Sequence, residues 1–274
     1  MIKLNNDVEI PEIGLGVYKV ESSDMERVIK TAYETGYRAI DTAWFYKNEK
    51  SLGQALKNLN INREELFITT KLWNDFQGYD KTIESFNESL ENLQLSYLDM
   101  YLIHWPCPED ELFIETYKAL EKLYYDGKIK AIGVCNFKEH HLETLLEHTD
   151  VVPAVNQVEF HPIFNQADLQ SYCEGKGIKV MAWSPLMRGG ELLENPVLTK
   201  IANKYNKSVA QVIIKWHIQQ GRLVIPKSQN DNRIKENFNV FDFKLSQSDL
   251  EEIDGLNKDE RQFRDPDDVK IGIM

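Results

Sequence analysis

Apolar residues recur along this chain in two alternating rhythms. Short runs rich in Val, Ile and Leu predict strands at 14–17, 37–41, 66–71, 100–104, 129–134, 154–158, 179–182 and 223–225. Between them lie longer stretches whose apolar residues fall at i, i+3 and i+4, the spacing of a helix with one buried face. Ser23 and Asp24 are placed to cap a first helix that runs to Glu34 and stops at Gly36. Further helices are predicted over 80–93, 110–125, 138–148, 166–176 and 208–220. Residues 2–10 alternate apolar and polar around Asn5-Asn6-Asp7, which predicts a β-hairpin ahead of the main fold.

Eight strands alternating with helices over 274 residues is the pattern of an α/β fold of the (β/α)8 TIM-barrel type, with an N-terminal β-hairpin. A doubly wound sheet is the alternative. It lacks its usual signature here, because Gly14-Leu15-Gly16 has no third glycine and no helix directly after it. No linker, repeat or low-complexity segment interrupts the chain, so 1–274 is read as a single domain. The charged, proline-containing tail from Gln262 onward is expected to wrap the surface or rim a pocket.

Composition narrows the functional classes. A net charge of −12 argues against nucleic acid as a partner, since phosphate backbones want a basic face. No segment approaches the roughly 20 apolar residues needed to span a bilayer, and Met1-Ile2-Lys3-Leu4 opens without a signal-peptide core. A cytoplasmic protein without a membrane partner is the expectation. Cys107, Cys135 and Cys173 form no paired framework and suit a reducing compartment.

Four polar residues follow strand-like runs: Asp41, Tyr46, Lys71 and His104. If the strands are parallel neighbours, their carboxyl ends converge on one pocket. A lysine at such an end needs a counter-ion, because an unpaired ammonium is costly to desolvate, and Asp41 is the natural one. The set suits proton donation to an oxygen becoming an alkoxide. Lys71 is expected to lower the Tyr46 pKa, Asp41 to keep Lys71 charged, and His104 to orient a carbonyl. No Gly-x-Ser-x-Gly supplies a nucleophile. His140, His141, His148 and His161 make no metal motif, and His140 and His141 are expected to be solvated at a helix start.

At these residues the sequence resembles the aldo-keto reductases, from Gly14-Leu15-Gly16 to Glu236-Asn237. Asp41, Tyr46, Lys71 in Thr70-Lys71-Leu72-Trp73, and His104 in His104-Trp105-Pro106 match the family's catalytic set. The resemblance implies NADPH-dependent reduction of aldehydes or ketones, with NADP+ as the oxidised cofactor and a small-molecule carbonyl substrate. It also implies contacts to the nicotinamide from Asn136 and Gln157, and from Cys135, which stands where the family has serine. Trp183 would stack on the ring, with Ser184 and Leu186 following it. Lys227, Ser228, Arg233, Glu236 and Asn237 would hold the adenosine 2′-phosphate end. Tyr18, Phe45, Trp73 and Trp105 match or adjoin the substrate pocket, and a shortened C-terminal loop implies an open site. Methylglyoxal-like dicarbonyls and 2,5-diketogluconate-like keto-sugar acids are both substrates of similar short bacterial members. A cofactor-binding, redox-sensing regulatory subunit is the alternative reading. Family members are often monomers, which is the expectation here.

Overall fold

In the computed structural model, which describes residues 1–272, eight parallel strands curl into a barrel. A short antiparallel hairpin, β1 (Ile2–Lys3) and β2 (Glu9–Ile10), precedes it. The barrel strands are β3 (Leu15–Gly16), β4 (Ala39–Asp41), β5 (Phe67–Leu72), β6 (Leu98–Ile103), β7 (Ile129–Cys135), β8 (Val155–Glu159), β9 (Lys179–Trp183) and β10 (Leu223–Val224). They pair in sequence order, and the seam closes where Ile13 bridges Val224 and Gly16 bridges Lys227. All eight predicted strands are therefore present, each within two or three residues of its expected bounds.

Period-two alternation sorts every strand into two cores. Phe67, Met100, Leu102, Ala131, Val155, Met181, Leu223 and Ile225 form the cluster that fills the lumen, joined by Leu4 and Ile10 of the hairpin. Ile68, Leu72, Tyr101, Ile103, Ile132, Val134, Val158, Val180 and Val224 face the other way and pack with the helices in the larger cluster. The hairpin closes the amino-terminal end of the barrel. Asn5 donates to the carbonyls of Val152 and Pro153, and Asn6 to that of Lys130.

The first helix spans Ser22–Thr35 and begins without a side-chain cap, so Ser23 and Asp24 lie inside it rather than at its cap. Four helices were not predicted: Glu49–Asn58, Pro196–Tyr205, Asp231–Phe238 and Gln247–Asp254. Glu49–Asn58 carries Gly53, whose Cβ would come within 2.5 Å of the Leu93 backbone. That glycine weakens the helical signal but lets two helices approach closely. Pro196–Tyr205 is capped by Asn195, which accepts from the amides of Val197 and Leu198. No helix among the described residues is long and apolar enough to cross a membrane.

Candidate active site at the barrel mouth

The lumen-facing row continues from the apolar core into the site. On β5 the inward positions are Phe67, Thr69 and Lys71; on β8 they are Val155, Gln157 and Glu159. Asp41 ends β4, and His104 directly follows β6. Tyr46 sits in a 3-10 turn, Trp44–Tyr46, held from behind. There Thr42 Oγ1 donates to Asn48 Oδ1 (2.8 Å), and Asn48 Nδ2 donates to the Val17 carbonyl (2.8 Å).

The four expected residues meet around Lys71 Nζ. It donates to Asp41 Oδ1 (2.6 Å) and the Thr42 carbonyl (2.8 Å), and reaches Tyr46 Oη at 3.4 Å. The Lys71 side chain is fully buried and that of Asp41 is 5% exposed. The His104 ring lies edge-on to Tyr46, with centroids 5.9 Å apart.

Electrostatics assigns protonation states. Burial opposes charge on Lys71, yet Asp41 and its neighbours outweigh it and the ammonium is held above the ordinary lysine range. Burial followed by the nearby ammonium pushes His104 well below its usual value, so the imidazole is neutral. The expected lowering of the Tyr46 pKa is corrected. Burial outweighs the downward pull of Lys71, and the phenol is held above its ordinary value. Tyr46 is thus kept protonated, as a donor must be, while Lys71 stands ready for the phenolate that donation leaves.

A second network occupies the far wall. Gln157 Nε2 crosses the lumen to donate to Asp41 Oδ2 (2.8 Å), and Cys135 Sγ lies 3.8 Å from Gln157 Oε1. Asn136 Nδ2 donates to the His104 carbonyl (2.9 Å), while Trp183 Nε1 donates to Asn136 Oδ1 (2.9 Å). Burial raises the Cys135 thiol pKa far enough to keep it neutral and unreactive. Ser184 follows Trp183 in a left-handed backbone conformation (φ 51°), with its Oγ buried and unpartnered. Leu186 is partly buried against the outer core.

At the barrel seam Lys227 is exposed and Ser228 buried, and Ser228 Oγ accepts from the Asn230 amide. Arg233 stands exposed in the first turn of the helix Asp231–Phe238; Glu236 is exposed on it and Asn237 is buried. Burial and the neighbouring Lys19 lower the Lys227 pKa. Among the described residues no carboxylate pairs with Lys19, Lys227 or Arg233. Lys19 and Lys227, like charges near one another without an anion, suit a phosphate, and Arg233 adds a further exposed cation on the following helix. Those cations and the unpartnered Ser184 Oγ fit a dinucleotide laid across the mouth.

Aromatic rings wall the opposite side. Phe45 stacks on Trp73 (4.0 Å, 19°), Trp73 meets the His104 ring edge-on (5.4 Å), and Tyr18 leans on Tyr46 (4.8 Å). Trp105 joins no ring contact among the described residues; its carbonyl accepts from Gln77.

The tail supplies residues that sequence reasoning missed. Buried Glu159 accepts the amides of Gln262 (2.8 Å) and Phe263 (3.3 Å), and its Oε1 lies 2.9 Å from His161 Nε2. This seats the Phe263 ring edge-on against Trp183 (4.7 Å), beneath the Arg188 guanidinium. Glu159 was legible as the next inward position after Gln157, whereas Phe263 gave no local signal. His141 is also corrected. It is buried against Phe113 and Phe137, not solvated. Its Nε2 and that of His140 both lie 3.0 Å from Asp267 Oδ1, a spacing a cation could use. However, His141 Nδ1 accepts the Lys138 amide, which leaves the ring proton on Nε2, and Lys138 Nζ already holds Asp267.

Comparison with known proteins agrees with this arrangement. Residues 12–258 match the model of the aldo/keto reductase family. The chain is 55% identical to the glyoxal reductase of Bacillus subtilis (strain 168) over 269 residues, covering 98% of this chain and 96% of that protein. It is 45% identical to the methylglyoxal reductase DkgA of Escherichia coli (strain K12), covering 97% of each. A mutant of Gox0644, crystallised in complex with NADPH, superposes with a TM-score of 0.94 at 43% identity, over 98% of each chain. The chain belongs to the aldo/keto reductase family.

Proposed function

We propose that this protein is an NADPH-dependent reductase of small dicarbonyls such as glyoxal and methylglyoxal, with Tyr46 as the proton donor. The observation that carries the reading is the Lys71 ammonium, buried and bonded to Asp41, within 3.4 Å of the Tyr46 hydroxyl. NADPH supplies the hydride. As the carbonyl carbon is reduced, the developing alkoxide takes the proton of Tyr46, and Lys71 stabilises the phenolate left behind. Neutral His104 orients the carbonyl and excludes a competing charge from the pocket. The nicotinamide end would be held by Gln157 and Asn136 beside Trp183, and the 2′-phosphate end by Lys227, Ser228 and Arg233.

The substrate class follows from the wall of Tyr18, Phe45 and Trp73. Flat apolar rings around a neutral imidazole favour compact, uncharged carbonyl compounds. A keto-sugar acid would bring a carboxylate to a pocket whose buried cation, Lys71, is already committed to Asp41. Glyoxal reductase and methylglyoxal reductase are the activities named for two close relatives.

The test is cofactor consumption across aldehydes, ketones, dicarbonyls and keto acids, with NADPH and with NADH. Glyoxal and methylglyoxal should give the highest kcat/KM, and NADPH should be preferred. Lys227→Ala combined with Arg233→Ala should weaken NADPH by roughly 10²- to 10⁴-fold, since each of the two charged hydrogen bonds contributes about 1.5–3 kcal/mol, and leave NADH nearly unchanged. If the unaltered protein uses NADH as well as NADPH, the phosphate assignment is wrong. Stoichiometric NADPH binding without turnover on any carbonyl would instead mark a regulatory subunit.

A further inference from the structure

Asp41 serves two partners on opposite sides of the barrel. Its Oδ1 takes the Lys71 ammonium, and its Oδ2 takes the amide of Gln157, which lies 116 residues further along the chain. β4 and β8 are four places apart in a ring of eight strands, so this hydrogen bond spans the full lumen. Both side chains are almost completely buried. Water therefore cannot replace either donor, and a carboxylate oxygen left without one would be costly.

We infer that Gln157 is a positioning residue for proton transfer, acting through Asp41, as well as a cofactor contact. The inference rests on the reading of Tyr46 as the proton donor. Donation from Gln157 Nε2 fixes the Asp41 carboxylate so that Oδ1 remains aimed at Lys71 Nζ. The same bond fixes the amide of Gln157, so that Oε1 faces the Cys135 side of the mouth, where a nicotinamide carboxamide would need an acceptor. One side chain thereby links the grip on the cofactor to the charge beneath the proton donor. Met181 Sδ, 3.0 Å from the same Nε2, supplies no comparable acceptor.

Gln157→Glu tests this with almost no change in shape. Protonated, the introduced carboxyl can still donate to Asp41 and accept from a carboxamide. Ionised, it places a second negative charge against Asp41. The groups facing it are Asp41 from β4, Lys71 from β5 and Cys135 from β7, with Tyr46 and His104 above. Burial and Asp41 should raise its midpoint above the ordinary glutamate value of about 4.3, with Lys71 opposing. In the cofactor-free variant, an infrared band of a protonated carboxyl, additional to that of buried Glu49 in the unaltered protein, should persist above that pH and vanish as the group ionises. At saturating NADPH, kcat of the variant should fall about tenfold or more as pH rises through that midpoint, a step the unaltered protein lacks, because the ionised form loses the donor. NADPH affinity, measured by fluorescence titration, should fall in the variant without a step of that size at the midpoint.

Gln157→Met keeps the length but donates nothing, and should lower kcat about tenfold at every pH without a new ionisation. It decides the question even if Gln157→Glu does not fold. A kcat profile unchanged in shape in Gln157→Glu, or a defect confined to NADPH affinity in Gln157→Met, would overturn the inference. Tyr46→Phe run in parallel separates the two readings. If it retains full turnover, the assignment of the proton donor has failed; if only the Gln157 variants behave like the unaltered protein, the positioning role alone has failed.

Discussion

Replacing Lys71 with methionine removes the ammonium and leaves its length. Three acceptors lose their donor at once: Asp41 Oδ1, the Thr42 carbonyl and Tyr46 Oη. Asp41 is then a buried carboxylate held, among the described residues, by Gln157 alone. Breaking a buried ion pair from one side costs about 3–5 kcal/mol, because the remaining charge is uncompensated. Urea unfolding of the cofactor-free protein at neutral pH should show a loss of that size. Adding Asp41→Asn removes the second charge while keeping an acceptor for Gln157. The double variant should therefore recover most of the loss and lie within about 1.5 kcal/mol of the unaltered protein, since neutral replacement of a buried pair is commonly tolerated. The sign of the pH dependence also follows. Lys71 is raised in the folded state, so its contribution is intact below the unfolded value of about 10.4 and lost only as pH climbs through the higher folded one. Neutral pH leaves it untouched. A single Lys71→Met variant within about 1 kcal/mol of the unaltered protein, or losses that simply add, would refute the buried pair.

Acid should act through the histidines. His104, His141 and His217 are all depressed by burial, His141 to about 4. Each contributes stability that is present above the unfolded value of about 6.5 and lost as pH falls through the folded one. Unfolding free energy should therefore decline below about pH 6.5, and more gently in His141→Asn; equal slopes in the two proteins would contradict this. Phe263→Ala frees the edge of Trp183 while leaving the Glu159 clamp on the tail backbone. Stopped-flow fluorescence should show NADPH leaving faster by roughly two- to tenfold, as one aromatic contact contributes about 0.5–1.5 kcal/mol; unchanged release would show that the tail does not steady the ring.

Much of the site was readable because a strand alternates. Once 66–71 is taken as a strand with Phe67 inward, Thr69 and Lys71 must face inward too, and the carboxyl ends of parallel neighbours bring Asp41 and His104 beside them. What alternation cannot supply is contact across the lumen or between loops. The Gln157–Asp41 bond joins opposite strands, and Asn48 secures the Tyr46 turn through Thr42 and Val17. Phe263 reaches Trp183 from the end of the chain. The Tyr46 pKa was misjudged for a related reason. The charge beside it was visible in the sequence, but the packing that desolvates it was not. Asn195-Pro196, by contrast, is a local helix-start signal, a capping asparagine followed by proline at the first helical position.

The most direct test of the chemistry is Tyr46→Phe, which removes one oxygen from the end of the network. With glyoxal and saturating NADPH, kcat should fall by about 10²- to 10⁴-fold, the contribution of a positioned general acid. NADPH affinity and the unfolding midpoint should remain close to those of the unaltered protein. A variant that reduces glyoxal within tenfold of the unaltered rate, with its affinity for NADPH intact, would show that Tyr46 is not the proton donor.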